Sequence, residues 1–360
     1  MLSNLDQAKK SLDLIINKSR VHLYKPIQIA EILYCERTNA DLGIELLDLE
    51  SYRSRSKQWR DVVCIKFLGR VCTSSARFQD NVFEKNAMPP SLLSVLGAEN
   101  KKNNGIVEAY IYQAFENKYL QLDNALNYCL KSTKNNFKLE SFLNIFWSQP
   151  GLKRSLDKIF EIVVYSLFEI LTTSINIKID IYYDDNNSDL LSEFAEFSNK
   201  VLNLTASKNR KTLDAHFHRV GVTNAADRGL DMYANFGSVV QIKHLSLDKV
   251  LAENIVTSIT ANKIIIVCKS AEEEIINSLL TQIGWQSRIQ SIITVDELVC
   301  WYNKALTGKF SHLLGNKIIN ALSEEIKNEF PSVGNNDFQK FKEDRGYNSL
   351  KNKYWSINEL

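Results

Sequence analysis

At 360 residues the chain is long enough for two domains of roughly 150 residues each and for a large buried core. A hydrophobic share of 44% with 24% charged residues excludes disorder, collagen-like sequence and coiled coil as descriptions of the whole, and the low counts of 13 Gly and 5 Pro favour long helices. Lysine and arginine total 44 against 42 acidic residues, so net charge singles out no nucleic-acid partner and only local clustering can.

The six cysteines form no CxxC pair and have no histidine at zinc-ligand spacing, which predicts reduced, mostly buried thiols. Met1 to Lys18 is amphipathic and interrupted by Asp6, Lys9, Lys10 and Asp13, unlike a signal peptide. The strongest apolar stretch, Ile159 to Leu171, is broken by Glu161 and Glu169 and is too short to span a bilayer. A cytoplasmic protein with no membrane partner is expected.

Along the chain, Pro26 to Tyr34, Ser91 to Leu96, Ile106 to Tyr119 and Leu122 to Leu130 carry apolar residues three and four apart, predicting a helical domain over residues 1–150. The character changes near Trp147-Ser148-Gln149-Pro150-Gly151. A helix follows at about Leu152 to Leu171, then a strand at Ile175 to Tyr183 in strict alternation, and a helix at Leu190 to Leu202. Next come a strand near His216 to Val222, a hairpin through Leu230 to Ile242 and a helix at Leu247 to Ile259. A buried strand at Ile264 to Val267, a helix at Ala271 to Ile283 and a strand at Ile289 to Val295 close residues 151–330 as a mixed β-sheet flanked by helices, an α/β architecture. Residues 331–360 read as a polar C-terminal extension with Phe338, Phe341, Tyr347, Tyr354 and Trp355 as anchors.

The stretch that carries chemistry runs from Asn224 to His244. Asn235 and Gly237 between two apolar-alternating arms mark a turn. Gln241 and Lys243, two apart on a strand, project to one side, and pairing across the turn brings Asp231 alongside them. A carboxylate, an amide oxygen and an ammonium converging at a sheet end suit metal-assisted phosphodiester hydrolysis, because magnesium prefers oxygen ligands and retains waters that can act as nucleophile. Asp231 anchors such an ion, Lys243 polarises the attacking water or neutralises charge developing on the phosphate, and Gln241 supplies an oxygen without charge. A surface hairpin has the same pattern. His216 and His218 alternate on a strand without a third ligand at recognisable spacing, which favours packing or a phosphate contact over zinc.

This arrangement resembles the PD-(D/E)xK nuclease superfamily over roughly Leu152 to Val295. Asp227-Arg228-Gly229-Leu230-Asp231 with Gln241-Ile242-Lys243 is similar to its Mrr-type branch, in which Gln replaces the acidic residue. The segment Ser19 to Glu31 and the overall layout resemble the HaeII-type restriction endonucleases. The resemblance implies a magnesium-dependent type II endonuclease that cuts double-stranded DNA as a homodimer, at a GC-rich palindrome of the form purine-GCGC-pyrimidine. It also implies a further carboxylate from the helix before the sheet. Glu161, embedded among Phe160, Ile162, Val163 and Val164, is chosen over Glu169, so that Asp231, Gln241 and Glu161 form the metal set; a solvated helix stripe shared with Asp157 is the other reading of Glu161.

Between Ser51 and Arg77 seven basic residues face one acidic residue, Asp61. Arg53, Arg55, Lys57, Arg60, Arg70 and Arg77 make residues 1–150 the expected DNA-binding and recognition domain, with residues 151–330 as the nuclease domain. Lys208, Arg210, Lys211 and Arg219, with only Asp214 opposing, read as a second basic stretch just upstream of the site and are expected to cradle the scissile strand, an ordinary lysine-rich loop being the other reading. A repair or modification-dependent nuclease, and a non-catalytic DNA-binding protein with a decayed core, are the rival readings; Gln241 keeps the second one open.

Overall fold

The computed structural model of the chain describes residues 3–19, 23–72, 74–147, 156–205, 207–220, 230–259, 261–271, 288–330, 336–350 and 352–356. These form two compact units, one of the described residues up to Ile159 and from Leu322 onward, the other of those between Phe160 and Ala321. The first unit thus takes in the C-terminal residues that the sequence sets apart as an extension, and the second ends before the expected boundary at 330.

The first unit is helical: α1 (Asn4–Lys18), α2 (Tyr24–Thr38), α3 (Arg55–Leu68), α4 (Ala76–Asp80), α5 (Pro90–Lys102), α6 (Ile106–Lys131) and α7 (Leu139–Trp147). A capping box starts α1, with the Ser3 side chain accepting from the Asp6 backbone N–H while Asp6 accepts from Ser3. Gly69 ends α3 with a φ of 63°, a left-handed conformation that costs glycine nothing. Nearly every residue from Pro26 to Leu33 is buried, the mark of a helix enclosed on all sides, and α2 packs against α3, α5 and α6. The two predicted segments at 106–119 and 122–130 are one helix, α6.

The C-terminal residues close this unit. A helix at Asn336–Asp344 sets Phe338 and Phe341 edge-on against Phe67 at 5.1 Å each, and Phe341 against Tyr112. Beside them Arg345 binds the two carboxylate oxygens of Glu31 at 2.6 and 3.0 Å, with its guanidinium 3.6 Å from the Tyr34 ring centre. Tyr347 donates to Glu108, whose carboxylate also accepts from Arg37 and Asn100. Burial and the Glu108 charge push the Tyr347 hydroxyl pKa far above that of a free tyrosine. Both glutamates are buried, so the extension carries the cation and hydroxyl that make their charge tolerable. Arg345→Ala is therefore expected to lower stability by about 3–5 kcal/mol, the scale for stranding a buried charge, with Glu31→Gln restoring part of the loss in the double variant. Urea unfolding measures it; an unchanged midpoint would show that Glu31 is hydrated without Arg345.

In the second unit α8 (Leu156–Ile175) precedes a two-stranded antiparallel ribbon, β1 (Lys178–Tyr182) with β2 (Arg210–Asp214). Helical turns over 188–202 lie between them. The ribbon is a separate sheet: β1, which the sequence reads into the mixed sheet, pairs with a strand that reads as a basic stretch. The main sheet has the order β3 (Phe217–Arg219), β4 (Met232–Ala234), β5 (Ser238–Lys243), β6 (Lys263–Cys268), β7 (Ile289–Thr294). Pairing is antiparallel from β3 to β5 and parallel from β5 to β7. Central β6 is buried over its whole apolar run, as a parallel strand covered on both faces requires.

One sheet face carries Val239, Ile264 and Ile266 against the helix Lys249–Ser258, whose Ala252 and Ile255 are buried with them. Across the sheet, Phe168 of α8 meets Phe217 of β3, and the Tyr302 hydroxyl donates to the Val163 carbonyl at 2.8 Å, joining α8 to the helix Val295–Thr307. That helix and the following Ser311–Glu329 are missing from the sequence reading, and the helix expected at Ala271 to Ile283 falls almost wholly outside the described residues. Among the described residues no helix is long and apolar enough to cross a membrane. Cys35, Cys64, Cys129 and Cys268 are buried free thiols, and burial pushes the Cys35 pKa up to about 11.

Candidate active site and the basic clusters

Asn235, Phe236 and Gly237 turn β4 into β5, with the Gly237 N–H donating to the Ala234 carbonyl at 3.0 Å and Gly237 at a φ of 104°. The Asn235 side chain locks this turn to the segment between β2 and β3, accepting from the His216 N–H and donating to the Asp214 carbonyl. Register then follows: Met232 pairs with Val240 and Tyr233 with Val239, so one step further Asp231 stands opposite Gln241.

The side chains meet as well. Asp231 Oδ2 accepts from Gln241 Nε2 at 2.6 Å and from the Ile242 backbone N–H at 2.7 Å. Two donors on one oxygen fix the carboxylate against the middle of β5. They also commit the Gln241 amide: with Nε2 given to the carboxylate, Oε1 is the atom left over. Gln241 is 2% exposed, and its Oε1 is buried without a hydrogen-bond partner. An unpaired buried acceptor costs about 1–3 kcal/mol, so it marks a place where a donor or a cation belongs. Lys243, half-buried at the end of β5, shares the pleat face of Gln241.

Glu161, which the sequence places with Asp231, is 4% exposed on α8 with its carboxylate 3.9 Å from the Arg219 guanidinium. Arg219 pairs with Met232, and in an antiparallel sheet paired residues share a face, so Arg219 and Glu161 belong to the α8 side while Asp231, Gln241 and Lys243 belong to the other. Sequence reasoning missed Arg219 as the partner of Glu161; its alternation with Phe217, which turns both toward α8, is the signal that was available. Glu169 is held elsewhere, by His216 Nδ1 at 2.7 Å and the Phe217 N–H at 2.7 Å, and so ties α8 to β3. His218 stacks on Tyr233. Asp227, Arg228 and Gly229 lie outside the described residues, and among the described residues no group of three or more His, Cys, Asp or Glu is arranged to hold a metal ion.

The basic cluster of residues 53–77 is largely engaged within its own unit. Arg53 and Lys57 both pair with Asp80, at 3.1 and 2.8 Å. Arg55 donates to the Leu42 and Ser51 carbonyls and lies over Trp59. Arg60, expected at a DNA phosphate, is a core residue: it is 1% exposed, with Asp61, Gln28 and Gln79 around its guanidinium. Arg70 donates to the Glu329 carbonyl, and Arg77 is exposed. In the second cluster Lys208 is exposed, Lys211 is half-buried opposite Ile181, and Arg210 pairs with Asp180 across the ribbon. Hydrogen bonds from Arg210 and from Thr212 hold the Asp180 carboxyl below the usual carboxylate range.

The arrangement is thus a carboxylate bonded to a Gln-x-Lys strand on a mixed sheet with parallel central strands. The chain belongs to the HaeII restriction endonuclease family, type II site-specific deoxyribonucleases, whose family model matches residues 8–347. It is 54% identical over 347 residues to the type II restriction enzyme HaeII of Haemophilus aegyptius, covering 96% of this chain and 98% of that protein. It is 53% identical over 342 residues to the type II restriction enzyme NgoBI of Neisseria gonorrhoeae, covering 95% and 96% of the two. No solved structure matches the chain.

Proposed function

We propose that the chain cuts both strands of DNA at one short palindrome by metal-dependent phosphodiester hydrolysis, with Asp231, Gln241 and Lys243 as its PD-(D/E)xK-type site. The carrying observation is the Asp231–Gln241 contact with the unpartnered Gln241 Oε1 beside it. The oxygen donors suit a hard divalent cation, magnesium first, and type II restriction enzymes generally use divalent ions. Asp231 and the Gln241 amide oxygen would hold it, and when bound it supplies Lewis acidity and a more acidic water. The Glu161 position across the sheet favours Arg219 as its partner over this set.

Lys243 does the remaining electrostatic work. Its ammonium, on the face of Gln241, orients the attacking water and opposes the charge that builds on the phosphate as the bond to oxygen forms. Gln241 keeps Asp231 in place through its N–H, where a second carboxylate would repel it.

A palindrome cut on both strands calls for two sites related by a two-fold axis, hence a homodimer, and the buried thiols fit a reducing cytoplasm. The resemblance points to purine-GCGC-pyrimidine as the target. Exposed Arg77 and Lys208 are the basic residues best placed for phosphates; Arg53, Arg55, Lys57, Arg70, Arg210 and Lys211 reach DNA by exchanging partners they already hold, and Arg60 supports the unit from inside. Incubation with a long sequenced duplex and magnesium, followed by mapping of the ends, tests the reading. Ends at one short sequence, abolished by EDTA, are expected; intact DNA would favour the non-catalytic rival.

Gln241→Glu tests the least ordinary member of the site. The added charge meets Asp231 at hydrogen-bond distance, so the variant needs a cation or a proton between the two carboxylates. Retained cleavage with a lowered magnesium midpoint is expected, together with reduced stability in EDTA. An unchanged midpoint and rate would remove Gln241 from the metal's neighbourhood.

A further inference from the structure

The sheet face turned away from α8 is covered only in part. Val239, Ile264 and Ile266 pack there against the helix Lys249–Ser258, which accounts for β5 and β6. On β3 and β4 the same face is open: His218 is exposed and Tyr233 is 43% exposed, while Phe217, Met232 and Ala234 are buried on the α8 side. Strand pairing sets this open pair beside the candidate site. His218 pairs with Tyr233 and Tyr233 with Val239, one row across three strands. The Val220 N–H donates to the Asp231 carbonyl at 3.0 Å, so the β3–β4 ladder runs on and the next row on this face is Val220, Asp231 and Gln241. Lys243 follows one row further along β5. Rows on one face are two residues, or about 7 Å, apart.

The two rings are held, and their polar atoms are not used up. Their centroids are 5.1 Å apart and their planes 30° apart, so each covers one face of the other. Among the described residues no hydrogen bond takes up the His218 ring nitrogens or the Tyr233 hydroxyl. We propose that His218 and Tyr233 give an N–H and an O–H to the phosphate next to the scissile one on the same DNA strand, and so set that strand's register over Asp231 and Lys243. This rests on the nuclease reading of Asp231, Gln241 and Lys243. The row offers two donors and no carboxylate, which suits an anionic oxygen. It is continuous with the place where the reacting phosphate must lie, and its distance of about 7 Å from Asp231 is the scale of one nucleotide step rather than of contact with the reacting group itself. A cation is a poorer occupant, because no third ligand joins His216 and His218 among the described residues.

The test uses the full chain and a short duplex carrying the sequence it binds in preference, with one phosphate at a time replaced by an uncharged methylphosphonate. Binding is measured with calcium in place of magnesium. In the native chain, neutralising the phosphate next to the cut should weaken binding about tenfold, the worth of a hydrogen bond to a charged group. His218→Ala with Tyr233→Phe should bind the unmodified duplex about tenfold more weakly with unchanged circular dichroism, since both side chains are already in water. In that variant, neutralising the same linkage should cost nothing further, while every other sensitive linkage keeps its full effect; Tyr233→Phe alone, which retains the stacked ring, should show part of the loss. A double variant with native affinity, one that keeps its sensitivity at every linkage, or a coupling that falls on the scissile linkage or on one remote from the cut overturns the proposal. A chain that cuts DNA without this coupling loses only the contact. A chain that shows the coupling but cuts nothing with magnesium keeps the phosphate contact and loses the nuclease reading.

Discussion

Asp231→Asn should lose cleavage by at least about a thousandfold, the scale on which removing one charge-stabilising group at a reacting centre acts, while specific DNA affinity stays within about tenfold. The substitution keeps the shape and leaves an oxygen able to accept from the Ile242 N–H, the bond that fixes this side chain to β5 at 2.7 Å. What it removes is the charge proposed to anchor a cation. Asp231→Ala should lose cleavage equally and also destabilise by about 1–3 kcal/mol, because the buried Gln241 amide then has no acceptor at Nε2. Single-turnover cleavage and thermal unfolding of the two variants separate the roles. An Asn variant cutting at more than a few per cent of the native rate would show that the carboxylate is structural.

The pairing of Asp231 with Gln241 was legible because it depends on short-range rules: a turn at Asn235-Phe236-Gly237 and a period of two along each arm determine which residues face each other. The apolar run of β6 was legible for the same local reason. β2 was not, because a two-stranded ribbon leaves both faces largely wet, and Arg210-Lys211-Thr212-Leu213-Asp214 then lacks the apolar contrast that marks a strand. Arg60 was misread because its burial depends on Gln28 and Gln79, supplied by other elements, and nothing within Trp59-Arg60-Asp61 records them. The same holds for the C-terminal helix: Phe338 and Phe341 are visible as anchors, but their seat on Phe67 and Tyr112 is made by residues more than two hundred positions away. Local pattern reaches the site's hairpin, and long-range packing decides which charged groups around it remain in solvent.

Lys243→Ala is expected to slow cleavage by about 10²–10³-fold with little change in stability, since the side chain is half-buried at the end of β5 and outside the apolar core. Two roles for the ammonium predict different kinetics. A lysine that only binds a phosphate of the intact duplex contributes equally before and during reaction, so its loss raises KM, leaves kcat alone and reduces the salt dependence of DNA affinity by one counterion. A lysine that orients the water and meets charge developing on the phosphate contributes mainly in the transition state, so its loss appears in kcat with the salt slope nearly unchanged. The pleat favours the second, because Lys243 and Gln241 leave β5 on the same face and Gln241 is hydrogen-bonded to Asp231. Lys243→Arg keeps the charge but spreads it over a planar group that places its protons differently, and it should recover DNA affinity without recovering kcat. A Lys243→Ala chain with native single-turnover rates would move the reacting centre away from this strand, and with it the reading of Asp231 as the anchor of the metal.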